Sequence, residues 1–162
     1  MPFSEKYGPA LVIYGGAHDN VPGCTHPVND GDVIEPLGPS IKIKALHTPC
    51  HTKGHILYYC ESADATEESK ESMSSTMEHD GKYQHVKSID KCLFTGDTMF
   101  LGGCGKFFEG TSEQMLSAFD RISELPDETK IFCGHEYTLS NFKFALLAEP
   151  HNPKIHQYYQ HF

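Results

Sequence analysis

Short apolar segments that end in a glycine and a polar residue constrain the fold of this chain most. Residues 91–94 are followed by Thr95-Gly96-Asp97, and residues 130–133 are followed by Gly134-His135. Segments of this length favour buried strands over helices, and a glycine allows the backbone to turn sharply where the strand ends. The pattern therefore predicts strands that deliver polar side chains into the loops at their ends.

Three further strands and two helices complete the expected architecture. Apolar runs predict strands at residues 10–14 and 56–60, and alternating apolar and basic residues predict one at 41–45. A capping-box spacing between Thr111 and Gln114 begins one helix, and a second is expected at about 138–148. This order of elements predicts an α/β fold in which helices pack on a sheet.

The length and the polar segment at residues 61–90 define the domain organisation. At roughly 100–200 residues per domain, 162 residues make a single domain spanning 1–162. Residues 61–90 are rich in Ser, Glu, Asp, Thr and Lys and contain almost no aliphatic side chains. They bury too little surface to offset their ordering entropy, so we expect a disordered or mobile insertion within a hairpin.

Charge and cysteine usage exclude several classes of protein. The chain has 13 Lys plus Arg against 22 Asp plus Glu, a net charge of −9, which disfavours binding to nucleic acid or to an anionic membrane. No apolar run approaches the roughly 18 residues of a membrane helix. The six cysteines include no Cys-x-x-Cys pair, and the N-terminus lacks an apolar signal core. Reduced thiols and a cytoplasmic location are expected.

Histidines and an aspartate at the predicted strand ends point to a metal. His51 and His55 lie between two strands, while Asp97 and His135 each follow one. Histidine and carboxylate donors from separate strand ends suit zinc or iron. Each residue alone has a simpler interpretation: a loop histidine is usually solvated, and Asp97 in Thr-Gly-Asp-Thr is more often a turn residue.

Taken together, four segments are far more specific than any single residue. They are His51-Thr52-x-Gly-His55, Phe94-Thr95-Gly96-Asp97-Thr98-x-Phe100, Gly103-Cys104-Gly105-Lys106-Phe107-x-Glu109-Gly110-Thr111 and Cys133-Gly134-His135-Glu136-Tyr137-Thr138. In this order, with Asn141-x-Lys143-Phe144-Ala145 downstream, the chain resembles the glyoxalase II (hydroxyacylglutathione hydrolase) family of the metallo-β-lactamase superfamily. The resemblance covers residues 11–152 apart from the polar insertion.

The resemblance implies a fold, a metal site and a reaction. The fold would be the second half of an αββα sandwich, a partial domain with a mixed sheet and helices on one face. His51, Asp97 and His135 match ligands of two divalent metals, with zinc expected first and iron or manganese also suited. The complete enzyme would hydrolyse S-D-lactoylglutathione to D-lactate and glutathione, in methylglyoxal detoxification.

The resemblance also implies a substrate site for a small glutathione thioester. Lys106 and Tyr137 match positions that contact the glutathione moiety, and Phe108 stands where many family members carry Tyr. Neighbouring motif residues complete the expected set, namely Phe107, His135 and Glu136. His55 is not a family ligand and is expected to support its loop.

One family motif, His-x-His-x-Asp-His, does not occur in the sequence. We therefore expect a truncated chain with little or no activity, whose missing N-terminal segment leaves mitochondrial targeting open beside the cytoplasm. Two further interpretations stay open: a non-catalytic metal-binding remnant or partner-binding fragment, and a persulfide-dioxygenase-like member of the superfamily. Self-association through an exposed sheet edge is also expected.

Overall fold

A five-stranded mixed sheet organises the computed structural model, which describes residues 11–62, 75–79, 82–86 and 91–160. The sheet order is β11-β8-β5-β4-β3. The strands in chain order are β1 Tyr14–Gly16, β2 His26–Val28, β3 Val33–Ile34, β4 Ile41–His47, β5 Ile56–Ser62, β6 Ser75–His79, β7 Lys82–Val86, β8 Lys91–Gly96, β9 Met99–Phe100, β10 Gly103–Cys104 and β11 Lys130–Cys133.

The directions of the strands decide where their loops meet. β4 and β5 pair antiparallel, as do β5 and β8, whereas β8 and β11 pair parallel. β4, β8 and β11 therefore run in the same direction, and their carboxyl ends lie at one edge of the sheet. In layered α/β folds this is the edge at which binding sites form.

The hydrophobic core lies between one face of the sheet and helix α1, Ser112–Ser123. Strand residues Leu46, Leu57, Tyr59 and Leu93 form the buried cluster, and Ile122 of α1 packs against it. Arg121 fixes the helix to the end of β4, since its guanidinium donates to the His47 carbonyl at 2.7 Å and to Asp30 at 2.8 Å. The predicted α/β class with a mixed sheet is confirmed.

The opposite face of the sheet is apolar but only partly covered. Phe94 of β8 and Phe132 of β11 stack with ring centroids 5.2 Å apart, and they are 47% and 41% exposed. Beside them Tyr58 and Cys60 line a shallow recess, whose far wall is formed by Tyr14, Ile34, Pro36 and Ile43. The edge strands of this sheet are β3 and β11, and self-association through such an edge stays a prediction.

The predicted helices agree with the structure. α1 begins with a capping box in which the Thr111 hydroxyl accepts from the Gln114 amide, while the Gln114 side chain accepts from the Thr111 amide. Helix α2 spans Thr138–Ala148, and a third helix, α3, spans Pro153–Tyr159. We did not predict α3, although Asn152 as N-cap and Pro153 at its first turn are both start signals.

The first predicted strand, at residues 10–14, is displaced. Residue 10 lies outside the described residues, and the strand that forms, β1, begins only at Tyr14. The Ile13 carbonyl accepts hydrogen bonds from the amides of Thr25 and His26, at 2.9 and 3.0 Å. This segment therefore pairs with β2 in a separate two-stranded sheet and does not join the main one.

The insertion predicted at residues 61–90 connects two adjacent antiparallel strands, β5 and β8. Much of it lies outside the described residues. The described part includes β6 and β7, which pair antiparallel with each other. Its mobility stays a prediction. Among the helices of the described ranges, none has the length and apolarity needed to cross a bilayer.

Removing the cap of α1 should destabilise the chain by a defined amount. Thr111→Ala deletes the hydroxyl that accepts from the Gln114 amide, so we expect a loss of about 1 kcal/mol in the free energy of unfolding. Urea titration followed by circular dichroism measures it. Ser112→Ala removes a neighbouring hydroxyl outside the capping box and is the matched control. Equal losses in both variants would contradict the capping role.

Candidate functional site

The carboxylate of Asp97 lies between two imidazoles. His51 Nε2 is 3.1 Å from Asp97 Oδ2, and His135 Nε2 is 3.2 Å from Asp97 Oδ1. The three residues follow β4, β8 and β11, so the common direction of these strands brings them together at one sheet edge. The structure thus brings together the three residues proposed from the sequence as metal ligands.

The hydrogen bond on the far side of the His51 ring defines its chemistry. Nδ1 is 3.0 Å from the Lys106 carbonyl oxygen, which can only accept, so Nδ1 carries the proton. In the neutral ring, Nε2 then presents a lone pair towards the Asp97 oxygen. Two electron-pair donors facing each other at 3.1 Å need a cation or a proton between them.

The donor spacing fits a divalent cation. A tetrahedral zinc ion about 2.0–2.1 Å from each donor holds a pair of donors about 3.3 Å apart. The two His–Asp distances, 3.1 and 3.2 Å, are close to this value. The two histidines face opposite carboxylate oxygens, so His51, His135 and Asp97 are the residues that would hold divalent metals here.

The number of donors is small. Each carboxylate oxygen faces one imidazole, so each cation position has two protein donors. Within the described ranges, no group of three or more His, Cys, Asp or Glu side chains converges on one point. Catalytic zinc usually has three protein ligands. The residues therefore fit part of a two-metal site.

His55 holds the backbone of Asp97 rather than facing the cavity. Its Nε2 accepts from the Asp97 amide at 3.2 Å, and its Nδ1 lies 3.1 Å from the Thr98 hydroxyl. Burial lowers the pKa of this imidazole, and the neighbouring His51 lowers it further. The ring is thus neutral at pH 7, as an acceptor from a backbone amide has to be.

Two glycines allow this close approach. Gly96 has φ +48°, and a Cβ there would lie 2.8 Å from His55 Nε2. A Cβ at Gly134 would lie 2.9 Å from Asp97 Oδ1. Side chains at either position would push apart the groups that surround the carboxylate.

A cavity of about 500 Å³ opens beside the carboxylate. Lys106, Phe108 and Tyr137 line it together with the three proposed ligands. The Tyr137 ring stacks on His135 with centroids 5.4 Å apart, and the Phe108 ring lies 5.0 Å from His51. The cavity is therefore lined by the proposed ligands, by aromatic rings and by the positively charged Lys106.

Two residues of the proposed substrate set lie elsewhere. The Glu136 side chain accepts from the Thr138 amide at 2.9 Å, so it stabilises the start of α2. A hydrogen bond from the Thr138 side chain lowers the pKa of Glu136 most, and the amide bond lowers it further. Phe107 is 45% exposed, and it does not belong to the described residues that line the cavity. Their roles in binding substrate stay predictions.

The cavity also includes residues that we did not propose, namely Phe100, Cys104, Gly105 and Asn141. Asn141 is fixed by its side-chain amide, which donates to the Leu101 carbonyl at 2.9 Å. Asn141, Cys104 and Phe100 all occur in the quoted motif segments. Their position in these motifs could have indicated a role in the site, but only the fold places their side chains at the cavity.

Curated relatives identify the family that this chain is similar to. It is 45% identical over 150 residues to the cytoplasmic hydroxyacylglutathione hydrolase of Arabidopsis thaliana, an alignment covering 92% of this chain and 49% of the relative. It is 43% identical over 155 residues to the hydroxyacylglutathione hydrolase of Klebsiella pneumoniae, covering 96% and 49%. The resemblance read from the motifs is confirmed, and the chain spans about half the length of these relatives.

A solved structure gives the fold. A metallo-β-lactamase from Staphylococcus aureus superposes with a TM-score of 0.53 at 28% identity, over 77% of this chain and 33% of that one. The predicted partial metallo-β-lactamase fold is confirmed, and such relatives imply divalent metals. No family model matches the chain.

Substituting Gly96 should cost more stability than substituting another glycine of positive φ. Gly31→Ala meets open space at φ +81°, so it should lose only the backbone cost of about 1–2 kcal/mol. Gly96→Ala adds a clash with His55 and should lose clearly more. Urea unfolding of both variants measures the difference. Equal losses would show that the contact with His55 relaxes freely.

Proposed function

We propose that this chain, which aligns with about half of the hydroxyacylglutathione hydrolases, supplies part of the metal site and substrate cavity of a glutathione thioester hydrolase. The observation that carries the proposal is the Asp97 carboxylate between the imidazoles of His51 and His135, on the floor of a cavity of about 500 Å³. The substrate of the whole protein would be S-D-lactoylglutathione, cleaved to D-lactate and glutathione.

Three side chains, one from each of three loops, would hold the metals. His51 and His135 each offer Nε2, and Asp97 offers one oxygen to each metal. Divalent metals bound here supply a water of lowered pKa as nucleophile and polarise the thioester carbonyl. Zinc is the metal we propose first, with iron and manganese next, because all three accept imidazole and carboxylate.

The chain's own groups would orient the substrate. Glutathione carries carboxylates, and the chain has a net charge of −9, so binding requires a local cation. Lys106 supplies that cation at the wall of the cavity, next to the aromatic rings of Phe108 and Tyr137. The Lys106 carbonyl also holds His51 by the 3.0 Å hydrogen bond, so the same residue links substrate recognition to the ligand.

The leaving group explains why the site can work without a dedicated general acid. A thiol with a pKa of about 8.5 departs as a thiolate near neutral pH. His55 already accepts from the Asp97 amide, and Glu136 accepts from the Thr138 amide. Both are therefore structural, and proton transfer to the leaving sulfur is not assigned to either. A cytoplasmic location is proposed with the function, as the Arabidopsis relative is named cytoplasmic.

The role of Asp97 can be tested in the chain itself and in a chimera. Asp97→Asn removes the charge that both imidazoles face, so the isolated chain should lose most of its zinc affinity in a competition titration with a chromophoric chelator. In a chimera, this chain replaces the aligned half of the Arabidopsis relative. That chimera should hydrolyse S-D-lactoylglutathione, and Asp97→Asn should reduce kcat/KM by about 100-fold or more.

Asp120→Asn removes the same charge from an exposed position on α1 and is the matched control. It should leave zinc affinity and turnover unchanged. A folded chimera that binds zinc but does not hydrolyse the thioester would overturn the proposed reaction and favour a non-catalytic metal-binding role. Undiminished zinc affinity in Asp97→Asn would overturn the metal site itself.

Lys106 should affect binding more than chemistry. In the chimera, Lys106→Met removes the cation that we place opposite a substrate carboxylate, so KM should rise about tenfold with little change in kcat. Lys143→Met is the control, because Lys143 is a lysine of α2 that is not among the described residues that line the cavity. A fall in kcat at constant KM would contradict a role in recognition.

A further inference from the structure

We propose that Cys60 and Cys92 are a thiol modification site that forms a reversible disulfide across the sheet by exchange with a small disulfide. The site lies on the sheet face opposite α1, away from the Asp97 cavity. It does not depend on the proposed hydrolase function.

The register of the sheet places the two cysteines directly opposite each other. Cys60 of β5 pairs with Cys92 of β8 in an antiparallel ladder. Directly opposite residues in such a ladder have Cα atoms about 4.5–5.5 Å apart and side chains on the same face. A disulfide spans Cα separations of about 4.4–6.8 Å, so the backbone already has the required spacing.

The two side chains already contact each other as free thiols. Burial raises the pKa of the Cys60 thiol to about 12, and the neighbouring Cys92, to which it is hydrogen-bonded, contributes further. In the proposed exchange the Cys92 sulfur attacks first, and Cys60 resolves the mixed disulfide.

Solvent can reach this pair. Both cysteines are only partly buried, and Cys60 lines the shallow recess that also contains Tyr58 and Phe94. The pair lies next to Glu61 and Lys91, the last register pair of the β5–β8 ladder. A reagent the size of a small disulfide can therefore approach.

The exchange proceeds in two balanced steps. The Cys92 thiolate attacks the small disulfide, forming a mixed disulfide and releasing one small thiolate. Cys60 then loses its proton to solvent and attacks the Cys92 sulfur, releasing the second small thiolate. Overall two protein thiols are oxidised and one small disulfide is reduced to two small thiols, with no other reactant.

The bridge should be reversible and should stabilise the fold. Disulfide Cβ atoms lie about 3.8 Å apart, closer than the roughly 4.5–5.5 Å of an antiparallel pair, so closure strains the sheet and favours reduction. The bridge also closes the loop that contains residues 61–91, which restricts the unfolded chain. It would tie β5 to β8 five residues before Asp97.

A second pair of cysteines provides the main competitor. Cys104 lies near enough to Cys50 to contribute to the raised pKa of that buried thiol, after burial itself. The Cys50 sulfur, however, donates to the Thr111 carbonyl at 3.4 Å. Cys50 is also fully buried, so a reagent reaches it less readily. Cys60 and Cys92 are therefore the favoured site for the disulfide.

The test treats the native chain with bis(2-hydroxyethyl) disulfide, a neutral probe without a glutathione moiety. We expect a monomer on a non-reducing gel and a loss of two hydrogens from the pair, counted apart from any hydroxyethylthio group on the exposed Cys104 thiol. Tandem mass spectrometry should locate the bridge between Cys60 and Cys92, which matters because tryptic peptide 92–106 also contains Cys104. The thermal midpoint should rise on oxidation and return to its original value with dithiothreitol.

Serine variants separate the bridge from general thiol reactivity. Cys60→Ser should stop at the mixed disulfide on Cys92, with one hydroxyethylthio group mapped to that sulfur and no rise in the thermal midpoint. Cys24→Ser removes another partly buried thiol and should form the bridge as the parent does. A chain that stays reduced, a bridge that maps to Cys50 and Cys104, or a bridge that survives Cys60→Ser would each overturn the proposal.

Discussion

The shared direction of β4, β8 and β11 is the constraint on which the site depends. Antiparallel pairing of β4 with β5 and of β5 with β8, followed by parallel pairing of β8 with β11, places three carboxyl ends at one edge. The loops at that edge carry His51, Asp97 and His135. Reversing any one strand would move its side chain to the far edge of the sheet, beyond the reach of a single carboxylate.

Hydrogen bonds between backbone and side-chain groups help to hold the loops at this edge. His55 accepts from the Asp97 amide, and the Lys106 carbonyl accepts from His51. These bonds leave the Nε2 lone pair of His51 and both carboxylate oxygens directed at one another. Such an arrangement concentrates negative potential where a cation would sit, in a chain that is already acidic.

Much of the fold was predictable, because local patterns and tertiary packing agree. The capping box at Thr111 and the apolar run of β11 each specify an element that the structure contains. The strand predicted at residues 10–14 failed for a tertiary reason. Its apolar residues suit a strand, but Ile13 is bound by Thr25 and His26, so the strand begins at Tyr14 and pairs outside the main sheet.

The sequence by itself determined the chemistry available to this protein: imidazoles, a carboxylate and a lysine in segments typical of one hydrolase family. Tertiary structure decided which of these groups meet. Glu136 is adjacent in sequence to His135, yet it accepts from the start of α2, while Asn141 arrives at the cavity from within that helix. The pairing of Cys60 with Cys92 was equally hidden, since strand register depends on long-range hydrogen bonds that no local pattern specifies.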